Sequence, residues 1–248
     1  MCLIVFAWRP GHALPLLVAA NRDEFHERPT QPLAAWQDAP GVHAGRDLEA
    51  GGTWLGVGPH GRFAALTNIR EPGQPGGLRS RGALVAEYLR GELGVEAYLE
   101  HVTAHCAEYA GFNLLVGDTQ TLGYLHAREA VPRLLEPGIH GLSNAELDTP
   151  WPKLLKARTG LQRVLDEPST DRLLGLLGDD RQVADAELPD TGVGLATERL
   201  LSSVFIASQH YGTRASTALI MDAGGRRELV ERSYGPFGRY LGEVRLVV

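Results

Sequence analysis

Cysteine and lysine are both scarce in this chain: 248 residues hold two of each. Two cysteines, Cys2 and Cys106, cannot build a disulfide framework. A soluble, reducing compartment is therefore expected, and the cytoplasm is its default. Arginine outnumbers lysine 22 to 2, which reads as codon bias rather than chemistry. There is no basic excess: the formal net charge is -6 and the isoelectric point is near 5.8. Nucleic acid and anionic membranes select basic surfaces, so neither is expected as the main partner. No apolar run approaches the ~20 residues of a membrane span. The start of the chain also reads as lacking a secretion signal, since no basic cluster or small-residue cleavage site accompanies its apolar run. Internal repeats and low-complexity tracts are absent. What remains is 44% apolar and 22% charged, the balance of a globular protein. One domain spanning residues 1–248 is expected.

The first apolar run, Cys2 to Trp8, does not alternate and predicts a strand covered on both faces. Turn residues at 9–12 and a second run from Leu14 to Ala20 predict a hairpin. Residues 26–50 read as mostly loop. A further hairpin is predicted over 51–68, turning at Gly58-Pro59-His60. Helical periodicity covers 80–90 and 95–109. Strands are predicted at 113–117 and 121–126, and helices at 149–165 and 169–177. Late strands are predicted at 204–208, 216–222, 228–233 and 239–247. Hairpins with grouped helices specify α+β rather than a doubly wound parallel sheet. Gly56-Val57-Gly58 lacks the third glycine and the following helix of a dinucleotide loop.

Cys2 carries the most chemistry. Removal of the initiator methionine would put a thiol and a free α-amine on one residue. Their reference pKa values of about 8.5 and about 7.7–8.0 let the amine serve as base for its own side chain. The plainer reading is a small buried hydrophobe in a strand. A turn centred near Gly11-His12 places Cys2 opposite Asn21 or Arg22, ~5 Å away across the ladder. The tetrad Asn21-Arg22-Asp23-Glu24 then stands beside the thiol. Arg22 would favour the thiolate and Asp23 could hold the amine; alternatively the tetrad is a solvated strand end with internal ion pairs.

Met1-Cys2, the tetrad at 21–24, Gly45-Arg46-Asp47, Gly51 to Gly56, Thr67-Asn68, Ser80-Arg81-Gly82, Gly111 to Leu114, Leu142-Ser143-Asn144 and Tyr211 to Arg214 occur in the order of one family. The chain resembles the NRDE family, also called the transport and Golgi organisation 2 family. That family is distantly similar to N-terminal-nucleophile hydrolases of the choloylglycine hydrolase and penicillin V acylase group. The resemblance implies a four-layer αββα sandwich of two antiparallel sheets. It implies Cys2 as nucleophile, with Arg22, Asp23, Asn68, Asn144 and Arg214 as its catalytic company. Asn21, Thr53, Trp54, Arg81 and Tyr211 become candidates for a substrate site. Arg22 and Asp23 are adjacent, whereas the hydrolases separate this pair by two residues. Adjacent strand residues face opposite ways, so one of them should turn from Cys2 unless the strand bulges or ends.

The implied activity is hydrolysis of a non-peptide amide or related acyl substrate through the Cys2 thiolate. The alternative is a binding and trafficking protein for a hydrophobic small molecule such as haem, to which the family has been linked. His101 and His105 have a spacing that can bind a metal or haem iron, but read more simply as a helix surface. No metal site and no resident cofactor are expected. Arg46-Asp47 reads as a structural ion pair, and Ser143 lacks the glycines of a nucleophile elbow. Oligomeric state and substrate identity stay open at this level.

Overall fold

The computed structural model describes residues 2–74 and 76–248. Two antiparallel sheets pack face to face, with helices on the outside of each. The first sheet contains β1 (Cys2–Trp8), β2 (Leu16–Phe25), β10 (Gly138–Leu142), β11 (Tyr211–Met221), β12 (Arg227–Tyr234) and β13 (Tyr240–Val247), in the order β10-β1-β2-β11-β12-β13. The second contains β3 (Thr30–Ala35), β4 (His43–Asp47), β5 (Leu55–Val57), β6 (Phe63–Asn68), β7 (Phe112–Gly117), β8 (Leu122–His126) and β9 (Arg133–Leu134), in chain order. The helices are α1 (Arg81–Arg90), α2 (Val95–Ala104), α3 (Pro152–Val164), α4 (Thr170–Gly175) and α5 (Leu195–Leu201).

Three apolar clusters define four layers. One joins α1 and α2 to the second sheet through Leu84, Tyr88, Leu99, Leu114 and Val116. The second lies between the sheets and contains Ile4, Phe6, Trp8, Leu55, Phe63 and Leu115. The third joins the first sheet to α3 and α4 through Leu3, Val5, Leu154, Leu161 and Leu173. Odd and even residues of β1 therefore serve different cores, which is why its sequence does not alternate. Each fully buried large side chain, such as Trp8 or Phe6, contributes about 1.5–3 kcal/mol.

The sandwich is the architecture the resemblance implied, but several elements differ from the sequence reading. The second run of the first hairpin does not stop at Ala20; β2 continues through the polar tetrad to Phe25. Two strands, β3 and β4, lie inside the Pro-rich stretch read as loop. Pro32 is tolerated there because β3 is an edge strand. Conversely, residues 204–208 form no strand. The Ile206 N–H goes to the Thr213 hydroxyl at 2.9 Å and the Val204 carbonyl to the Asn21 amide at 2.8 Å, so side chains and isolated backbone bonds stand in for a continuous ladder. Arg46 and Asp47 do not form a pair with one another: Arg46 binds Asp38 at 2.8 Å and Asp47 binds Arg28 at 2.7 Å.

A buried carboxyl links the two sheets. Glu231 on β12 accepts from the Leu33 N–H of β3 at 2.7 Å and from the Thr217 hydroxyl at 3.3 Å. Burial pushes it up from 4.5 to about 7, against the opposing pull of these hydrogen bonds and of Arg22. The folded chain then keeps a proton that the unfolded chain releases near 4.5, so this group's contribution to stability falls as pH rises from 4.5 to 7. Glu231→Gln keeps an acceptor for Leu33. The stability difference, wild type minus variant, should fall by about 3 kcal/mol across that window and stay flat above it, as read by urea unfolding at a series of pH values.

Candidate active site

The site begins with strand register. Cys2 is paired with Arg22 across the β1–β2 ladder. Even residues of both strands face the opposite sheet, so the Cys2 thiol and the Arg22 side chain share that face. Asn21 and Asp23 face the helices instead. A bulge does occur here, but on the neighbouring strand: Thr213 pairs with Asp23 and Ala215 with Arg22, leaving Arg214 as the extra residue. Arg22 and Asp23 therefore keep opposite faces.

Arg22 is buried, with its guanidinium carbon 4.3 Å from the centre of the Trp54 ring. It also donates to the Thr30 hydroxyl at 3.4 Å and lies 3.8 Å from Glu24. A stacked, weakly hydrated guanidinium is suited to such a place. Asp23 reaches Cys2 differently, with its backbone N–H directed at the sulfur. Its carboxyl accepts from Thr213 at 2.7 Å on the far side of the sheet. Burial pushes the Cys2 thiol up, and Asp23's charge adds to this, while Arg22 and the Asp23 N–H oppose it. Ser143 at the end of β10 donates to the Cys2 carbonyl at 3.0 Å. Met1 lies outside the described residues.

On its outer side Cys2 opens to a cleft of about 530 Å³. Thr53, Trp54, Asn68, Ser80 and Arg81 all line it. The glycines of the sequence motifs explain how these distant segments meet. A Cβ on Gly52 would stand 2.4 Å from the Gly82 carbonyl carbon, and the Thr53 N–H binds the Gly82 carbonyl at 3.1 Å. A Cβ on Gly45 would stand 2.3 Å from the Trp54 ring. Gly45 thus lets Trp54 lie flat under Arg22, and Gly52 brings Thr53 against the start of α1.

The other expected site residues are placed less directly. Asn144 is buried and does not line the cleft; its amide donates to the Asn68 carbonyl at 2.8 Å. Asn68 itself lines the cleft at the end of β6. Arg214 also lies off the cleft and donates to the Phe25 and Arg28 carbonyls at 2.8 and 3.0 Å. The Tyr211 hydroxyl donates to the Asp23 carbonyl at 3.1 Å, again on the helix side. Asn21 is turned away from the cleft, and every polar atom of its amide is engaged with the Leu177 and Val204 carbonyls and the Ser216 hydroxyl. It ties the sheet to the loops beside α4 and α5. His101 and His105 stack on the outer face of α2, with ring centres 4.7 Å apart. No group of three or more metal-ligating side chains occurs among the described residues. Among them, too, no helix is long and apolar enough to cross a membrane.

Two buried charged features escaped the sequence reading. Lys153 on α3 donates to the Leu201 carbonyl at 3.0 Å. Burial pushes it down to about 8 against the attraction of Asp23. Its signal was rarity: a chain built on arginine keeps a buried lysine, whose ammonium can shed a proton where a guanidinium cannot. Arg70 binds Glu198 at 2.6 Å in the same layer. Their partners come from segments too distant in sequence for any local pattern to join.

The four-layer sandwich of two antiparallel sheets is similar to the fold of the N-terminal-nucleophile hydrolases. Comparison with solved structures agrees on the fold. The Caenorhabditis elegans N-acylethanolamine-hydrolyzing acid amidase ortholog superposes with a TM-score of 0.50 at 9% identity, over 90% of this chain and 93% of that one. Comparison of the sequence is more specific than that of the fold. The profile of the family described as Transport and Golgi organisation 2 matches residues 1–236. The mouse Transport and Golgi organization 2 homolog is 34% identical over 256 residues, covering 94% of this chain and 93% of the mouse protein. The human homolog is 35% identical with the same coverage. The chain belongs to the transport and Golgi organisation 2 family.

The contrast between Asn21 and its neighbours is testable. Asn21→Ala leaves buried carbonyls unsatisfied and should lower unfolding free energy by on the order of 3 kcal/mol. The rate at which iodoacetamide modifies Cys2, measured well below the melting temperature, should stay within about twofold of wild type, because no atom of the Asn21 amide faces the cleft.

Proposed function

We propose that the chain is a cysteine N-terminal-nucleophile hydrolase acting on a non-peptide amide or related acyl substrate. The observation that carries this reading is the company of one sulfur: Cys2 at the open end of a ladder, Arg22 beside it, the Asp23 N–H on it, and a cleft in front. The carboxyl of Asp23 lies on the other face, bonded to Thr213; in this reading it holds the α-amine freed at Cys2 by its charge.

In the proposed reaction the Cys2 thiol gives its proton to the α-amine, and the sulfur bonds to the substrate carbonyl carbon. The carbonyl oxygen becomes an oxyanion facing Asn68. Donors placed there are commonly worth ~3–4 kcal/mol. Collapse breaks the carbon–nitrogen bond, and the α-ammonium returns its proton to the departing amine. Water then attacks the thioester, releases the carboxylic acid and restores the thiol. Asn144 acts through Asn68, whose backbone it holds. Arg22 favours the thiolate, countering the burial that raises the thiol.

Intact mass spectrometry tests the reading. The active protein should lack Met1, and incubation with a panel of amides and lactams should add one acyl mass, mapped to Cys2. Cys2→Ala should abolish the adduct. Retention of Met1 on all active protein, or turnover that survives Cys2→Ala, defeats amine-assisted catalysis.

A further inference from the structure

The two sides of the Cys2 thiol differ sharply in the space they offer. Inward, toward the packed sheets, Cys2 borders a space of only about 10 Å³, lined by apolar side chains such as Ile4, Leu55 and Leu66 together with Arg22, Trp54 and Thr217. That is barely one water molecule. Outward lies the cleft of about 530 Å³. Any group joined to the sulfur must therefore extend outward. The outer cleft is not a hydrocarbon slot either: its few apolar side chains are interleaved with four arginines and the carboxylates of Glu24, Asp47 and Glu49.

Those arginines are not equivalent. Arg28 is neutralised by Asp47 at 2.7 Å and Glu49 at 3.2 Å. Arg79 is neutralised by Glu87 at 2.6 Å and Glu108 at 3.4 Å. Arg22 is stacked on Trp54, with Glu24 at 3.8 Å. Arg81 is half-buried and has no carboxylate within 4.0 Å among the described residues; its guanidinium donates to the Gly111 carbonyl at 3.2 Å. It begins α1, whose first turn has no acidic residue and no side-chain cap. Glu24 attracts Arg81 from beyond ion-pair distance. A partly desolvated guanidinium with no carboxylate bonded to it is suited to bind a planar oxyanion.

We propose that the cleft takes a short, polar compound bearing a carboxylate, held by Arg81 in front of Cys2, and not a long hydrocarbon chain. This deepens the hydrolase reading by naming the substrate class, but it concerns occupancy of the cleft and can be tested without turnover.

The probes are iodoacetate and iodoacetamide, which differ by one charge. In each case the sulfur displaces iodide and forms a thioether, and peptide mapping reports the rate at Cys2. The rate ratio, iodoacetate over iodoacetamide, should exceed that of N-acetylcysteine amide in the same buffer by at least tenfold. Arg81→Gln should bring the ratio down to the small-thiol value, and Arg81→Lys should retain part of the preference, which guards against a folding defect. In a second arm, N-ethylmaleimide and N-octylmaleimide should react at Cys2 with no gain for the longer chain. A ratio equal to that of the small thiol, a ratio unchanged in Arg81→Gln, or a tenfold gain with chain length each overturns the proposal. So does a Cys2 that none of the four reagents modifies. If the charge preference holds while no acyl adduct forms in the amide panel, the binding class stands and the hydrolase reading falls.

Discussion

The site depends on one backbone constraint, the pairing of Cys2 with Arg22 in the β1–β2 ladder. That register decides which side chains meet the thiol and which do not, because a slip by one residue would exchange the two faces. It is held by more than the hairpin. The even positions of both strands fill the core between the sheets, and the odd positions fill the core beneath α3 and α4. Moving the register would unpack both cores together. Arg22 and Asp23 are thus assigned by the packing of residues far from them, and each approaches Cys2 with a different group: one with its guanidinium, the other with its backbone N–H.

The same logic explains why polar residues are affordable at the end of a buried strand. Asn21, Arg22, Asp23 and Glu231 are all buried, and isolated they would be costly. Asn21 engages two carbonyls and a hydroxyl, Asp23 the Thr213 hydroxyl, and Glu231 an N–H from the other sheet. These bonds all run between segments far apart in the chain. They specify the sandwich as much as they stabilise it, since no rearranged packing would satisfy them at once.

Cleft geometry follows from close backbone approach. Gly45 leaves room for the Trp54 ring and Gly52 for the start of α1. Trp54 then forms the platform for Arg22, and Arg81 comes to the cleft at the first turn of α1. The motifs at 45–47, 51–56 and 80–82 are separate words in the sequence. In the folded chain they make one wall.

Much of this was legible beforehand, for stated reasons. Unbroken apolar runs and turn residues disclosed β1, the first hairpin and α1 to α4, because burial on both faces and helical periodicity leave a local imprint; α5 begins in a stretch read as irregular. Counting back from a turn placed Cys2 opposite Asn21 or Arg22, and the ladder register settles it as Arg22. The edge strand β3 and its neighbour β4 were hidden because short, half-exposed strands in a proline-rich stretch look like loops, and 204–208 passed for a strand because buried apolar residues need not join a ladder. By itself the sequence determined the nucleophile candidate, the polar tetrad beside it and an α+β pattern, and its family resemblance implied the layered sandwich. Only the tertiary structure decided that Asn21 is a strut, that Asn144 and Arg214 lie off the cleft, that Lys153 and Glu231 are buried titratable groups, and that Arg81 has no carboxylate within 4.0 Å among the described residues. Those outcomes depend on which distant groups arrive within hydrogen-bonding reach, and chain order carries no local record of that.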